Sequence, residues 1–146
     1  MKLIVIDASV VNKFYLDQPD RDQAREVLRL ISEDKLEACA PSLITYEILN
    51  VVNRLKMSAP EESAVVGAVL QQFQSNIRLV EPDFYQWKKA LEISSTGNPK
   101  SGYPSFYDAI YHAIAITEKG IFLTADKKHK AKTESFGHIC LLQDFL

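Results

Sequence analysis

Four acidic side chains, Asp7, Glu47, Asp108 and Asp126, occupy positions where carboxylates could do joint chemistry. Asp7 ends the apolar run Leu3-Ile4-Val5-Ile6, and Asp126 ends Ile121-Phe122-Leu123-Thr124-Ala125. In an open parallel sheet, ligands bind outside the carboxyl ends of the strands, where both acids would stand. Glu47 and Asp108 fall in helical patterns that could present carboxylates to the same crevice. Four carboxylates brought together repel one another and raise their own pKa values unless a cation neutralises them. Hard oxygen donors with open positions suit Mg²⁺ or Mn²⁺, so the expected cofactor is a divalent metal.

Each acid also has a purely structural reading. Asp7 and Asp126 could cap the helices that follow them. Ser105-Phe106-Tyr107-Asp108 has the form of a capping box, with His112 one turn on as a partner for the carboxylate. Glu47 borders an apolar stripe, where a glutamate is usually just solvated.

The elements that must position these side chains are legible as alternating patterns. Apolar runs at Leu3 to Ile6, Ala38 to Ala40, Ile77 to Val80, Ile121 to Leu123 and Ile139 to Leu142 read as five short strands. Helical patterns cover Ser9 to Leu16, Asp20 to Glu33, Ser42 to Lys56, Pro60 to Ser75, Asp83 to Ser95, Ser105 to Lys119 and Lys127 to Glu134. Such alternation implies right-handed crossovers and a parallel sheet covered on both faces, an α/β three-layer sandwich. From Ser42, residues Ile44, Ile48, Val51, Val52 and Leu55 form one stripe, with Glu47 at its edge. From Ser105, residues Phe106, Ala109, Ile110, Ala113, Ile114 and Ile116 leave little polar circumference, which predicts a buried helix with Asp108 as the anomaly. The turn-rich loop Thr96 to Pro104 directly precedes that helix and could line a site.

With 146 residues, 47% hydrophobic and 25% charged, the chain is expected to be one globular domain over residues 1–146. The start, Met1 to Ile6, reads as a buried strand without a signal-peptide pattern, so a cytoplasmic protein with no membrane association is expected. Cys39 and Cys140 have no metal-ligand spacing and read as small core residues. The formal net charge of -2 excludes coating nucleic acid through bulk charge and leaves room for a local basic patch. Lys127, Lys128, Lys130 and Lys132 could hold RNA phosphates, although a solvated helix face is the commoner role. The three histidines lack ligand spacing and read as structural or surface groups.

Taken in order, Val5-Ile6-Asp7-Ala8-Ser9-Val10-Val11, Ala40-Pro41-Ser42-Leu43 leading to Tyr46-Glu47, Tyr107-Asp108-Ala109 and Leu123-Thr124-Ala125-Asp126 resemble the PIN-domain family, and more narrowly its VapC-like toxins. The resemblance spans the chain. It implies a five-stranded parallel sheet in the order 3-2-1-4-5, which sets Asp7 beside Asp126. It implies a catalytic acidic quartet of Asp7, Glu47, Asp108 and Asp126 holding Mg²⁺ or Mn²⁺, with Asp7 and Asp108 as the main direct ligands, and with Ser9 and Thr124 as bordering hydroxyls. The implied activity is hydrolysis of RNA phosphodiester bonds. The implied partners are a cognate VapB-like antitoxin and a second copy in a homodimer, for which Phe14, Tyr15, Leu16, Leu49, Val52 and Leu55 are candidate interface residues.

Two other classes compete. A non-catalytic PIN module would bind RNA or a protein partner without cutting. A phospho-acceptor receiver domain would need paired acids after the first strand, where Ala8 and Ser9 follow Asp7, and its third strand would not end in Glu81-Pro82-Asp83. A DxD phosphatase fails similarly, because Ser9 stands in the second acid's place.

Overall fold

A computed structural model describes residues 1–146. Five strands, β1 (Lys2–Ile6), β2 (Leu36–Pro41), β3 (Ile77–Val80), β4 (Ile121–Thr124) and β5 (Ile139–Leu141), form one sheet in the order β3-β2-β1-β4-β5. Every pairing is parallel. The eight helices are α1 (Ala8–Tyr15), α2 (Arg21–Ser32), α3 (Leu43–Leu55), α4 (Ala59–Ser75), α5 (Phe84–Ser94), α6 (Phe106–Thr117), α7 (Lys127–Thr133) and α8 (Leu142–Phe145). The three-layer α/β/α arrangement, its strand order included, is the one expected.

The reason lies in which residues must avoid water. Ile4, Val5 and Ile6 are all fully buried, on both faces of the central strand, so β1 needs a helical layer on each side. On one side α6 packs on β1, β2 and β4, with α5 along it; α1, α2 and α8 form a second group against β2, β4 and β5. The register Ile6↔Leu123 brings the carboxyl ends of β1 and β4 level, and the Asp7 amide donates to the Leu123 carbonyl at 3.0 Å. Adjacent parallel strands thus deliver Asp7 and Asp126 to one edge.

Several local expectations are corrected. Leu142 does not extend β5 but begins the short α8 and is buried there. On α3 the buried stripe is only Ile44, Ile48 and Val52; Leu55 is 51% exposed. Seven consecutive residues of α6, Ala109 to Ala115, are buried, whereas Phe106 at its start is 41% exposed. Cys39 is a core residue, but Cys140 is only partly buried. Of the candidate interface residues, Phe14 and Val52 belong to the interior. Asp83 caps α5 in a reciprocal box with Gln86, at 2.9 Å in both directions, so that acid has a structural task. No helix is long and apolar enough to cross a membrane.

The loop from Thr96 folds back on itself. Asn98 and Gly102 form an antiparallel bridge, and the Asn98 side chain accepts from the Lys100 and Ser101 amides, each at 2.9 Å. Gly97 sits at φ 108°, and an added Cβ would collide with the Gly102 carbonyl oxygen; only glycine fits.

Candidate active site

Asp7 is 5% exposed, directly after β1. It is the N-cap of α1, but no capping bond of its side chain meets hydrogen-bond geometry, and the Ser9 amide only adds to a carboxylate that other groups hold. Its Oδ2 instead accepts from Ser9 Oγ at 2.9 Å and from Thr124 Oγ1 at 2.6 Å. The same two hydroxyls tie the strand ends together: Ser9 Oγ accepts from the Ala125 amide at 3.1 Å, and Thr124 Oγ1 from the Asp126 amide at 3.0 Å. Each hydroxyl spends its proton on Asp7 and a lone pair on the β4 turn. The Asp7 carboxylate is therefore fixed through Oδ2 by two hydroxyls, and the Ser9 backbone amide also acts on it.

Asp126 does cap its helix, accepting the Lys128 and His129 amides through Oδ1 at 3.0 Å each. That bond uses one oxygen, and the residue still lines the cleft beside Asp7. Glu47 is half-buried on α3 and accepts from Tyr111 Oη at 2.6 Å. Asp108 is in the first turn of α6, where Ser105 Oγ caps the Tyr107 and Asp108 amides at 3.1 and 3.4 Å. The reciprocal half of that box is absent, and His112 turns away from the carboxylate. Its Nε2 lies 2.7 Å from the Gly137 carbonyl and its Nδ1 3.4 Å from His129 Nε2. No donor reaches the Asp108 side chain.

The four acids line a single cleft of about 320 Å³ together with Ala8, Ser9, Asn12, Asn50, Val51 and Arg54. A larger hollow, about 570 Å³, opens at the other end of β2 and β3, lined by Met1, Leu36 and Ile77 among others. It lies away from the carboxyl strand ends and gathers no comparable set of functional groups. The acidic cleft is the one that gathers four carboxylates.

Electrostatics join the four residues into one unit. The Asp108 carboxyl is pushed up to about 7, first by burial and then by the charges of Asp7, Asp126 and Glu47. Burial also raises Asp7, against the hydroxyl bonds from Thr124 and Ser9, with the Asp126 charge adding to the rise. Glu47 is raised by burial and by the Asp7 charge, against the Tyr111 bond. Asp7, Glu47 and Asp108 are thus carboxylates whose ionisation is opposed first by burial and then by neighbouring negative charge, which a divalent cation would relieve. As placed, no three of the His, Cys, Asp and Glu side chains are drawn together into a ready ion-binding group.

Four lining or supporting residues escaped the sequence reading: Tyr111, Asn12, Asn50 and Arg54. Tyr111 is fully buried and stacked on Phe122, with centroids 5.5 Å apart, so the core holds the ring that holds Glu47. Its signal was its place three residues after Asp108, on the same helical face; Asn50 and Arg54 stand likewise three and seven residues after Glu47. Replacing Tyr111 by Phe removes one charge-assisted bond without a large void. Divalent-metal affinity is expected to fall about tenfold, within the range for supporting partners of metal ligands, as calorimetric titration with Mn²⁺ would read. Unchanged affinity would mean that Glu47 needs no such support.

The loop at Thr96 to Pro104 does not line this cleft; Gly97, Asn98 and Ser101 border a separate hollow with Lys128, Ala131 and Lys132. Lys127 and Lys128 are exposed, while His129 between the lysines is buried. His112 and His129 form an interior pair with centroids 5.5 Å apart, outside the cleft.

The PIN domain family model matches residues 4–134. Among solved structures, the chain resembles VapBC2 from Rickettsia felis bound to a DNA fragment from their promoter, at 15% identity and TM-score 0.66 over 95% of this chain and 96% of that one. It also resembles VapC20 from Mycobacterium tuberculosis, a sarcin-ricin loop cleaving toxin, at 17% identity and TM-score 0.64 over 88% and 93%. FitAcB from Neisseria gonorrhoeae aligns at 16% identity and TM-score 0.63 over 94% and 95%. At these identities the likeness is one of fold. No curated relative matches the sequence.

Proposed function

Because the chain belongs to the PIN-domain family, we propose that it is a divalent-metal-dependent endoribonuclease, the toxin of a VapBC-type pair, built as a single domain over residues 1–146. The observation that carries this reading is the convergence of Asp7, Glu47, Asp108 and Asp126 on one cleft at the carboxyl ends of β1 and β4.

Asp7 and Asp108 are assigned as direct ligands of Mg²⁺ or Mn²⁺, because no side chain bonds Asp7 Oδ1 or either Asp108 oxygen, whereas Tyr111 engages Glu47 and the α7 amides engage Asp126. Glu47 and Asp126 complete the charge of the set and hold water through their remaining oxygens. When bound, the cation would supply charge neutralisation at the phosphoryl oxygens and make water a better nucleophile at neutral pH. Ser9 and Thr124 hold the Asp7 carboxylate in one orientation, since both bond Oδ2 and are themselves anchored by the β4 turn. Tyr111 does the same for Glu47.

The paired acids also repel a phosphodiester, so the substrate binds only with the cation or with a compensating positive group. That supports a cation-like segment of a VapB-like antitoxin as a natural cover for the cleft. VapC20, a toxin of the same fold that cleaves the sarcin-ricin loop, supports RNA as the substrate class. Exposed apolar side chains on α3 and α5, Leu49, Leu55, Phe84, Tyr85, Trp87 and Leu91, support a homodimer. A cytoplasmic location accords with these partners.

The test is cleavage of a mixed RNA pool by the purified chain with Mg²⁺, with Mn²⁺ and with excess chelator, beside a folded Asp7→Asn variant. Cutting that requires metal and is lost in the variant is expected. No cutting under any metal would favour a non-catalytic PIN module that binds RNA or a protein.

A further inference from the structure

Arg54 is the one cationic side chain lining the acidic cleft. It is exposed and forms none of the ion pairs made by Arg21, Arg29 and Arg78. A guanidinium sharing a cleft with four carboxylates would ordinarily pair with one of them. No such pair forms within 4.0 Å. Its place explains this. Glu47, Asn50, Val51 and Arg54 fall three, four and seven residues apart on the cleft-facing side of α3, so Arg54 stands two turns beyond Glu47, roughly 10 Å along the helix axis at about 1.5 Å per residue. Asn50 fills the turn between them, and Asn12 on α1 lines the same wall. The cleft therefore has two electrical parts: an acidic end at the strand termini and a cationic end with amide donors on the outer turn of α3.

We propose that Arg54 is a substrate-phosphate contact, holding the RNA backbone on the outer wall of the cleft while the acidic end carries the reaction. The inference rests on the ribonuclease reading above. A phosphodiester strand entering an acidic cleft meets repulsion everywhere except at a bound cation and at Arg54. Two separated positive points fix both position and direction of the strand, which a cation at the acids alone cannot do. The planar five-donor guanidinium suits phosphate oxygens, and Asn50 and Asn12 add neutral donors for phosphate or ribose. A blander role exists, since Arg54 is also in the last turn of α3 and would complement the helix dipole there. That role affects stability and leaves substrate handling alone.

The experiment compares the wild-type chain with Arg54→Gln and Arg54→Lys on a short RNA that the wild type cuts, over a range of salt, with Mn²⁺ affinity measured separately in the absence of RNA. For Arg54→Gln, kcat/KM is expected to fall about ten- to hundredfold, the range for losing a hydrogen bond to a charged group. The log-log slope of kcat/KM against salt should shrink by about 0.7, one single-strand phosphate contact. Mn²⁺ affinity should hold, and Arg54→Lys should recover part of the loss, keeping the charge without the fork. Unchanged kcat/KM in Arg54→Gln, or a loss matched by an equal loss of Mn²⁺ affinity, overturns this inference while the nuclease reading stands. Absence of cutting by the wild type with any metal overturns both.

Discussion

Asp108→Asn should abolish metal-dependent RNA cleavage and, in the absence of metal, make the protein more stable. The two effects have one cause. The Asp108 carboxyl, pushed up to about 7 by burial and three neighbouring acids, has no donor to offset either penalty. A carboxyl whose folded pKa exceeds its unfolded value binds more protons in the fold, so stability falls as pH rises between the unfolded value of 3.8 and about 7, and stays low above that. Asparagine cannot ionise and escapes the penalty. Discounted for the part of the group that water still screens, the gain at pH 8 is of order 1 kcal/mol, or about 2–4 °C in Tm for a chain of this size. The gain should shrink toward pH 5, where the wild-type carboxyl is protonated. Cleavage should drop by about a hundredfold or more, because a direct ligand is lost and even supporting partners are worth tenfold to a hundredfold. Thermal melts at pH 5 and 8 with chelator, beside cleavage assays, check both halves. A variant less stable than wild type at pH 8 would show that Asp108 serves the fold.

Divalent-metal affinity should rise steeply with pH up to neutrality. A ligand must be deprotonated to bind, and Asp108 is protonated below about 7; binding therefore releases a proton there. Calorimetry with Mn²⁺ should show affinity gaining up to about tenfold per pH unit below 7 and flattening above it. Glu47 and Asp7, both raised, would steepen the lower part of the curve. In Asp108→Asn the neutral-pH segment should disappear along with most of the affinity. Stability follows the same linkage: saturating metal should raise Tm more at pH 8 than at pH 6. A flat affinity profile across this range would remove proton competition at the cleft.

The succession of strands and helices along the chain was readable because hydrophobic period and turn residues agree along most of it, whereas the order of the strands within the sheet came only from the family resemblance. The short α8 was not readable, since Leu141 and Leu142 continue an apolar run whether the backbone is extended or helical. Phe106 and Leu55 followed the helical apolar pattern yet lie in water, because periodicity marks a face without saying whether anything covers its ends. The four acids stood out through the combination of their positions and the resemblance to PIN-domain motifs, since Glu47 alone looked like a solvated glutamate, and the structure brings them to one cleft. What each carboxylate bonds to was not readable. The Tyr111 to Glu47 bond spans 64 residues of sequence and the Thr124 to Asp7 bond 117, and local spacing carries no information about either. The structural and functional readings of Asp126 proved compatible, with one oxygen at the α7 amides and the side chain still in the cleft. Asp7 is held chiefly by the Ser9 and Thr124 hydroxyls rather than by the amides of α1.

The most direct test of the account is anomalous diffraction from crystals of the protein soaked in Mn²⁺ at pH 8. A manganese peak within coordination distance of both Asp7 and Asp108 is the expected result, with Glu47 and Asp126 in direct contact or reaching it through water. No peak in the cleft at a concentration that supports RNA cleavage, or a peak at another site whose removal abolishes cleavage, would contradict it.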